Sequence, residues 1–232
     1  MRVRDPKKAQ HGGLSVKTLI VLNFKTYEES TGANAVRLAT IAEKVAEDSG
    51  VTMIVVPQAV DVFQVTHRVS IPVYAQHVDG IQFGGNTGHI LAEALAEAGA
   101  QGTLINHSER RLQLAEIDAA NQAAERANLT TIICTNNITT TKAAASLRPD
   151  FVAIEPPELI GSGIPVSKSN PEVVTGAVEA AAGVKVLCGA GISKGEDVKA
   201  AIELGTDGVL LASGVTKAAD PEAALRGLVE FV

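Results

Sequence analysis

Charged and amide side chains stand directly after apolar runs at several places in this sequence. Residues 16–24 lead into Asn23-Phe24-Lys25. Residues 102–106 lead into Asn106-His107-Ser108-Glu109-Arg110-Arg111. Residues 150–155 lead into Glu155-Pro156-Pro157-Glu158-Leu159-Ile160-Gly161-Ser162-Gly163. Alternate side chains of an extended segment share a face, so Asn23 and Lys25 point one way and Phe24 the other. An amide and an ammonium turned toward a packed interior are costly unless a ligand or polar partner meets them. Two further runs end in small residues. Residues 184–188 lead into Gly189-Ala190-Gly191-Ile192-Ser193, and residues 207–212 end in Ala212-Ser213-Gly214. Backbone N–H groups are unobstructed there, and oriented amides suit an anion. Any tight turn can use the same glycines. The chemistry within reach is anion binding beside a cation, an imidazole and a carboxylate.

Eight apolar runs rich in Val, Ile and Leu must position these groups: residues 16–24, 51–57, 71–76, 102–106, 130–134, 150–155, 184–188 and 207–212. Near-continuous β-branched runs suit strands buried on both faces of a parallel sheet. Between them lie Ala- and Glu-rich stretches of helical period: 32–49, 58–68, 89–98, 111–128, 139–147, 171–182, 194–204 and 221–232. In the first, Val36, Ala39, Ala42, Val45 and Ala46 favour one side and Arg37, Glu43, Lys44 and Glu47 the other, an amphipathic helix lying on a sheet. Gly50 stands where a helix stop wants a positive φ. Eight strands alternating with eight helices predict an α/β fold, a (β/α)8 TIM barrel of eight parallel strands in a single domain over residues 16–232. A loosely ordered extension, residues 1–15, is expected before it. An open doubly wound sheet is the alternative, but no GxGxxG follows the first strand. Barrel active sites lie in the loops after the strands, with phosphate sites after strands 7 and 8. That is where the polar segments fall.

Composition excludes several classes. Formal charge is −6, and residues 1–15 are net basic (Arg2, Arg4, Lys7 and Lys8 against Asp5), so the remainder is more acidic still. Such a body is a poor non-specific partner for nucleic acid or an anionic membrane. Trp is absent and aromatics are 3%, too few to build stacking platforms for bases. Two cysteines cannot form a disulfide scaffold. No apolar stretch approaches the roughly 18 residues of a membrane span. Residues 1–15 lack the apolar core of a signal peptide. A cytoplasmic protein is expected.

Taken together and in order, these segments resemble the triosephosphate isomerase family, in its short archaeal form. The likeness rests on Asn23-Phe24-Lys25, the 106–111 segment, the 155–163 segment and Cys188-Gly189-Ala190-Gly191-Ile192-Ser193, and runs from Val16 to the C-terminus. It implies interconversion of dihydroxyacetone phosphate and D-glyceraldehyde 3-phosphate by proton transfer through an enediolate, the glycolytic and gluconeogenic isomerisation. The same enzyme is a worked example of tuned acid–base pairs. By resemblance, Glu155 is the general base, since a carboxylate can swing between adjacent carbons. His107 is the electrophile, a neutral imidazole donating to the developing oxyanion. A helix beginning at Ser108 would aim its first amides at that ring. Lys25 supplies electrostatic stabilisation, and Glu109 stands behind it. Asn23, Lys25, Ile160, Gly161, Gly191, Ala212 and Ser213 are the implied substrate-binding residues, with the Ser193 hydroxyl as a further contributor. Residues 156–166 correspond to the family's closing lid. Arg110 and Arg111 are expected to hold structure or an interface. The Gly-rich 77–89 loop, with Thr87, corresponds to the segment that enters a neighbouring subunit, implying a homo-oligomer, dimer or tetramer. His77 and His89 lack companions for a metal site, so neither a metal nor an organic cofactor is expected.

Other readings account for less. An aldolase barrel wants a Schiff-base lysine at a strand end, and only Lys25 presents itself. An epimerase often wants metal ligands. A non-catalytic barrel would tolerate loss of the base and the electrophile, and neither is lost.

Overall fold

A computed structural model describes residues 18–156 and 166–231. The expected extension, and most of the expected lid with Ile160 and Gly161, lie outside the described residues. In chain order the elements are β1 (Leu19–Asn23), α1 (Ala33–Ser49), β2 (Thr52–Val56), α2 (Ala59–Thr66), β3 (Tyr74–Ala75), α3 (Ala92–Glu97), β4 (Gly102–Ile105), α4 (Leu114–Arg126), β5 (Thr130–Thr135) and α5 (Ile138–Ser146). There follow β6 (Phe151–Ile154), α6 (Val166–Ser169), α7 (Pro171–Ala180), β7 (Lys185–Gly189), α8 (Gly195–Glu203), β8 (Gly208–Leu211), α9 (Ser213–Thr216) and α10 (Pro221–Val229). The sheet order is β2-β1-β8-β7-β6-β5-β4-β3, and neighbouring strands in that order pair in parallel. A single bridge, Val55 to Val73, draws the two outer strands together. This is the (β/α)8 barrel that the alternation of runs predicts.

The strand period sorts the side chains into two layers. Leu19, Val21, Ile54, Val56, Leu104, Ile132, Ala153, Leu187 and Leu210 fill the barrel interior. Their neighbours Ile20, Leu22, Phe24, Val55, Ile105, Ile133, Val152 and Ile154 face the helices. Each fully buried Leu or Ile contributes about 1.5–3 kcal/mol of transfer free energy, so both phases of every strand are fixed. Slipping one strand by one residue would exchange its layers. Gly50 closes α1 with φ 73° and returns its N–H to the Ala46 carbonyl, the predicted stop.

Most elements are trimmed at their ends relative to the expected ranges, and β3, α3 and α4 each start three residues late. The third strand, expected over 71–76, is reduced to Tyr74–Ala75; Pro72 offers no N–H, and Gln76 turns its side chain to the Lys25 carbonyl just beyond β1. The helix expected from residue 89 begins at Ala92, because Ile90 is tied by N–H and carbonyl to Asp79. The helix expected from residue 111 begins at Leu114. There the Gln113 N–H donates to Glu116 Oε2 at 2.7 Å, closing a capping box. Among the described residues no helix is long and apolar enough to cross a membrane.

Candidate active site

The inward phase of β1 runs Leu19, Val21, Asn23 and on to Lys25. Apolar residues fill it to the level of Val21, and polar ones take over at the mouth. The inward phase of β6 likewise runs Phe151, Ala153, Glu155. Asn23 Oδ1 accepts the Lys25 N–H at 2.9 Å. Lys25 itself takes φ 50°, a conformation that costs a non-glycine residue of order 1 kcal/mol and is held only by its surroundings. Gln76 holds it, donating from Nε2 to the Lys25 carbonyl at 2.8 Å and to the Val56 carbonyl at 3.2 Å. Lys25 Nζ lies 2.8 Å from Glu109 Oε1. The lysine side chain is 11% exposed and the glutamate 58%, so water at the glutamate limits the pair to about 0–1 kcal/mol. The contact aims the ammonium while leaving it free to meet a stronger anion.

His107 arrives differently. Leu104 faces inward and Ile105 outward, so strand phase would turn residue 107 away from the pocket. Asn106 takes φ 62° and re-aims the chain. It is pinned there. Its Nδ2 donates to the Cys134 carbonyl at 2.9 Å, its Oδ1 accepts the Leu112 N–H at 2.9 Å, and its carbonyl accepts Arg111 Nη1 at 2.9 Å. No helix begins at Ser108, contrary to expectation. Residues 108–110 form a turn, closed by the Arg110 N–H on the His107 carbonyl at 2.8 Å. One turn amide still meets the ring, since the Glu109 N–H donates to His107 Nδ1 at 3.2 Å. An Nδ1 that accepts leaves the proton of the neutral ring on Nε2. Glu109 Oε2 also lies 3.5 Å from Nδ1, but a nitrogen already accepting an amide has no proton to give it.

That Nε2 lies 3.7 Å from Glu155 Oε1. Glu155 is 4% exposed, and its Oε2 has no hydrogen-bond partner among the described residues. A buried carboxylate depends on the groups around it, and Glu155 has the Cys134 thiol as well as His107 beside it. Space for it is made by Gly189: a Cβ there would sit 2.4 Å from Glu155 Cγ. Asn23, Lys25, Tyr27, His107 and Glu155 line one pocket, whose opposite wall is Ala190, Gly191, Ile192, Ala212, Ser213 and Gly214. Ala190 and Gly191 both take φ 74°. Ser213 and Gly214 open α9, where first-turn amides need partners outside the helix.

A family model for triosephosphate isomerase matches residues 18–231. The chain belongs to the triosephosphate isomerase family. A triosephosphate isomerase from Methanocaldococcus jannaschii is 60% identical over 218 residues, 92% of this chain and 100% of the relative. One from Methanosarcina acetivorans is 59% identical over 217 residues, 92% of this chain and 98% of the relative. One from Methanobacterium bryantii is 60% identical over 218 residues.

In this triosephosphate isomerase barrel, Asn23, Lys25, His107, Glu155, Gly191, Ala212 and Ser213 share one pocket. Glu109 joins through Lys25. Ser193 does not join, because its hydroxyl and N–H both turn to Asp197 Oδ2, at 3.4 and 3.2 Å. Ile160 and Gly161 lie outside the described residues. Gln76, Asn106 and Gly189 emerge as supports to which the sequence pointed only as neighbours of polar ends. No group of three or more His, Cys, Asp or Glu side chains suited to a metal occurs among the described residues.

Two buried thiols flank Glu155. Burial first, and the Glu155 charge second, push the Cys134 thiol well above its usual value. Burial, then Glu155, then Asp197 push Cys188 up to about 12. Both therefore stay neutral and add no second negative charge beside Glu155. At pH 8 a thiol of that acidity is about 10⁻⁴ thiolate, and the thiolate is the nucleophile. Iodoacetamide is expected to leave both cysteines intact in the native protein and to label both after denaturation, read by mass spectrometry. Rapid labelling of the native protein would contradict this placement.

Proposed function

We propose that Glu155, His107 and Lys25 divide the work of the family's reaction. The protein interconverts dihydroxyacetone phosphate and D-glyceraldehyde 3-phosphate. In this reading Glu155 takes a proton from C1 of dihydroxyacetone phosphate as the C1–H electron pair moves into the carbonyl. His107 Nε2–H hydrogen-bonds the oxygen that gains charge, and Lys25 stabilises it electrostatically. The O1 hydroxyl proton passes to O2, and the same carboxylic acid returns its proton to C2 as the C1=C2 pair moves there and C1–O1 becomes the carbonyl of the aldehyde. The observation that carries the reading is the 3.7 Å between Glu155 Oε1 and His107 Nε2. A hydrogen bond of about 2.8 Å to the oxygen and a contact of about 3 Å to the adjacent carbon both fit that separation.

The phosphate goes to the opposite wall, to the amides of Gly191, Ala212 and Ser213, with Asn23 and Lys25 beside it. By family resemblance the backbone of Ile160 and Gly161 joins them when residues 156–166 close. Closure keeps water from the enediolate, which otherwise loses phosphate. The test of the activity is a coupled isomerase assay on the purified protein, where turnover supports the reading and its absence overturns it. The clamp has its own test. At 2-phosphoglycolate about 100-fold above its Kd, stabilisation of about 2.7 kcal/mol should raise Tm by about 5–10 °C. No shift at millimolar ligand counts against it.

The protein also works as a homo-oligomer through residues 77–89. The loop carries Phe83, 77% exposed. Beside the active site lies a second pocket that shares Asn23, Lys25, Tyr27 and His107 and is walled by Gln58, Val60 and Ile90. The loop tip of a second copy, with Phe83 and Thr87, fits such an opening. The setting is the cytoplasm.

A further inference from the structure

Asp79 stands at the foot of the 77–89 loop, away from the catalytic groups. Four contacts meet on it. Its Oδ2 accepts the Ile90 N–H at 2.6 Å, and its own N–H donates to the Ile90 carbonyl at 3.0 Å. Its Oδ1 accepts His77 Nε2 at 2.9 Å. Arg110 Nη2 lies 3.5 Å from that same oxygen. The two ends of the loop therefore meet on one carboxylate. Arg110 belongs to the turn that carries His107, and its N–H closes that turn on the His107 carbonyl at 2.8 Å.

We propose that Asp79 is a positioning residue that ties the 80–89 loop to the catalytic turn 106–111. The proposal rests on the reading of that loop as the contact with a second copy, and it makes the contact felt at His107. The local structure favours a tie over a passive brace. Residues 80–89 hold four glycines, so the segment has little stiffness of its own. Its foot is pressed on α4: a Cβ at Gly80 would sit 2.4 Å from Ala119 Cβ. Burial pushes the Asp79 carboxyl up, but the Ile90 amide, His77 and Arg110 outweigh it and hold the carboxyl below its usual value. It is thus charged wherever the enzyme works, and its bonds to Ile90 and His77 are of the stronger, charge-assisted kind.

The experiment compares wild type, Asp79→Asn and Arg110→Met. Asn keeps one accepting oxygen and cannot serve both Ile90 and His77. Arg110 is 57% exposed, so its variant keeps the fold and removes the inter-loop strut. Arg110 also lines the pocket proposed to receive a second copy, so its kcat is compared only at concentrations where light scattering shows the assembly intact. Three readouts are taken: hydrogen exchange at the Ile90 amide, light scattering across a dilution series, and kcat and KM of the assembled protein. In Asp79→Asn the Ile90 amide should exchange about tenfold faster, as for a lost charged hydrogen bond. Dissociation should move to about tenfold higher protein concentration, and kcat should fall severalfold with KM held within about twofold. In Arg110→Met the Ile90 amide stays protected while kcat falls. Faster Ile90 exchange with unchanged assembly and unchanged kcat would overturn the proposal, leaving Asp79 a local brace. If Asp79→Asn does not fold, Arg110→Met decides, and an unchanged kcat there overturns the tie. A wild type that is monomeric at every concentration would sink the assembly reading alone. The exchange and kcat arms would still judge Asp79.

Discussion

Glu155→Gln is expected to lower kcat by about 10²- to 10⁴-fold, the usual worth of a positioned general base, with KM changed by no more than a few fold. The amide has the shape of the carboxylate and none of its basicity. On the proposed assignment Lys25 and the amide wall hold the substrate, and the substitution does not touch them, so the loss is expected in kcat. An unchanged Tm would show that the barrel is intact. Gly189→Ala makes the same point without altering the base. The added Cβ would sit 2.4 Å from Glu155 Cγ, so it displaces a chemically unchanged carboxylate. A comparable fall in kcat is expected from it, because misplacement of about 1 Å can cost about 10²-fold. Full activity in both variants would remove Glu155 from the mechanism.

Lys25→Met should be nearly as severe and differently distributed. On the proposed assignment its ammonium serves both the phosphate and the developing oxyanion, so kcat and KM should both suffer. A preorganised charge at a partly buried site is worth about 10²–10³ in rate, and the fall in kcat/KM should reach or exceed that. Methionine preserves the apolar stem, so packing is little disturbed. Glu109→Gln is the informative contrast. Glu109 touches Lys25 at 2.8 Å but is 58% exposed, and losing it should cost no more than about tenfold. Steady-state kinetics on both variants, with 2-phosphoglycolate binding beside them, separates anchoring from aiming. A Lys25→Met enzyme with ordinary kcat and KM would contradict the assignment.

Much of this arrangement is legible in the sequence because strand phase carries information. Leu19, Val21, Asn23 and Lys25 share a face in the sequence and in the barrel, and so do Phe151, Ala153 and Glu155. His107 is not legible that way. Phase alone would turn it outward with Ile105, and only the left-handed Asn106 brings it back. Asn tolerates that conformation better than most residues, but its type alone does not predict it; the bonds that hold it come from Cys134, Arg111 and Leu112. Gln76 ends the third apolar run of the sequence. That it braces the Lys25 carbonyl depends on β2 lying between β1 and the start of β3, which local pattern does not show. Ser193 shows the opposite failure. A serine in a glycine-rich loop suggests an anion contact, yet Asp197, three residues after the Lys194 cap, claims it in a capping arrangement. That spacing stands in the sequence and signals a helix start.

The central claim is that a carbon-bound proton moves through Glu155. Conversion of dihydroxyacetone phosphate in D2O, followed by proton NMR, tests it directly. A carboxylate that takes a proton and exchanges it before return must place deuterium at C2 of the glyceraldehyde 3-phosphate formed. Wild type is expected to show that incorporation, and Glu155→Gln to show neither conversion nor label above background. Conversion or C2 labelling by Glu155→Gln at the wild-type rate would contradict it.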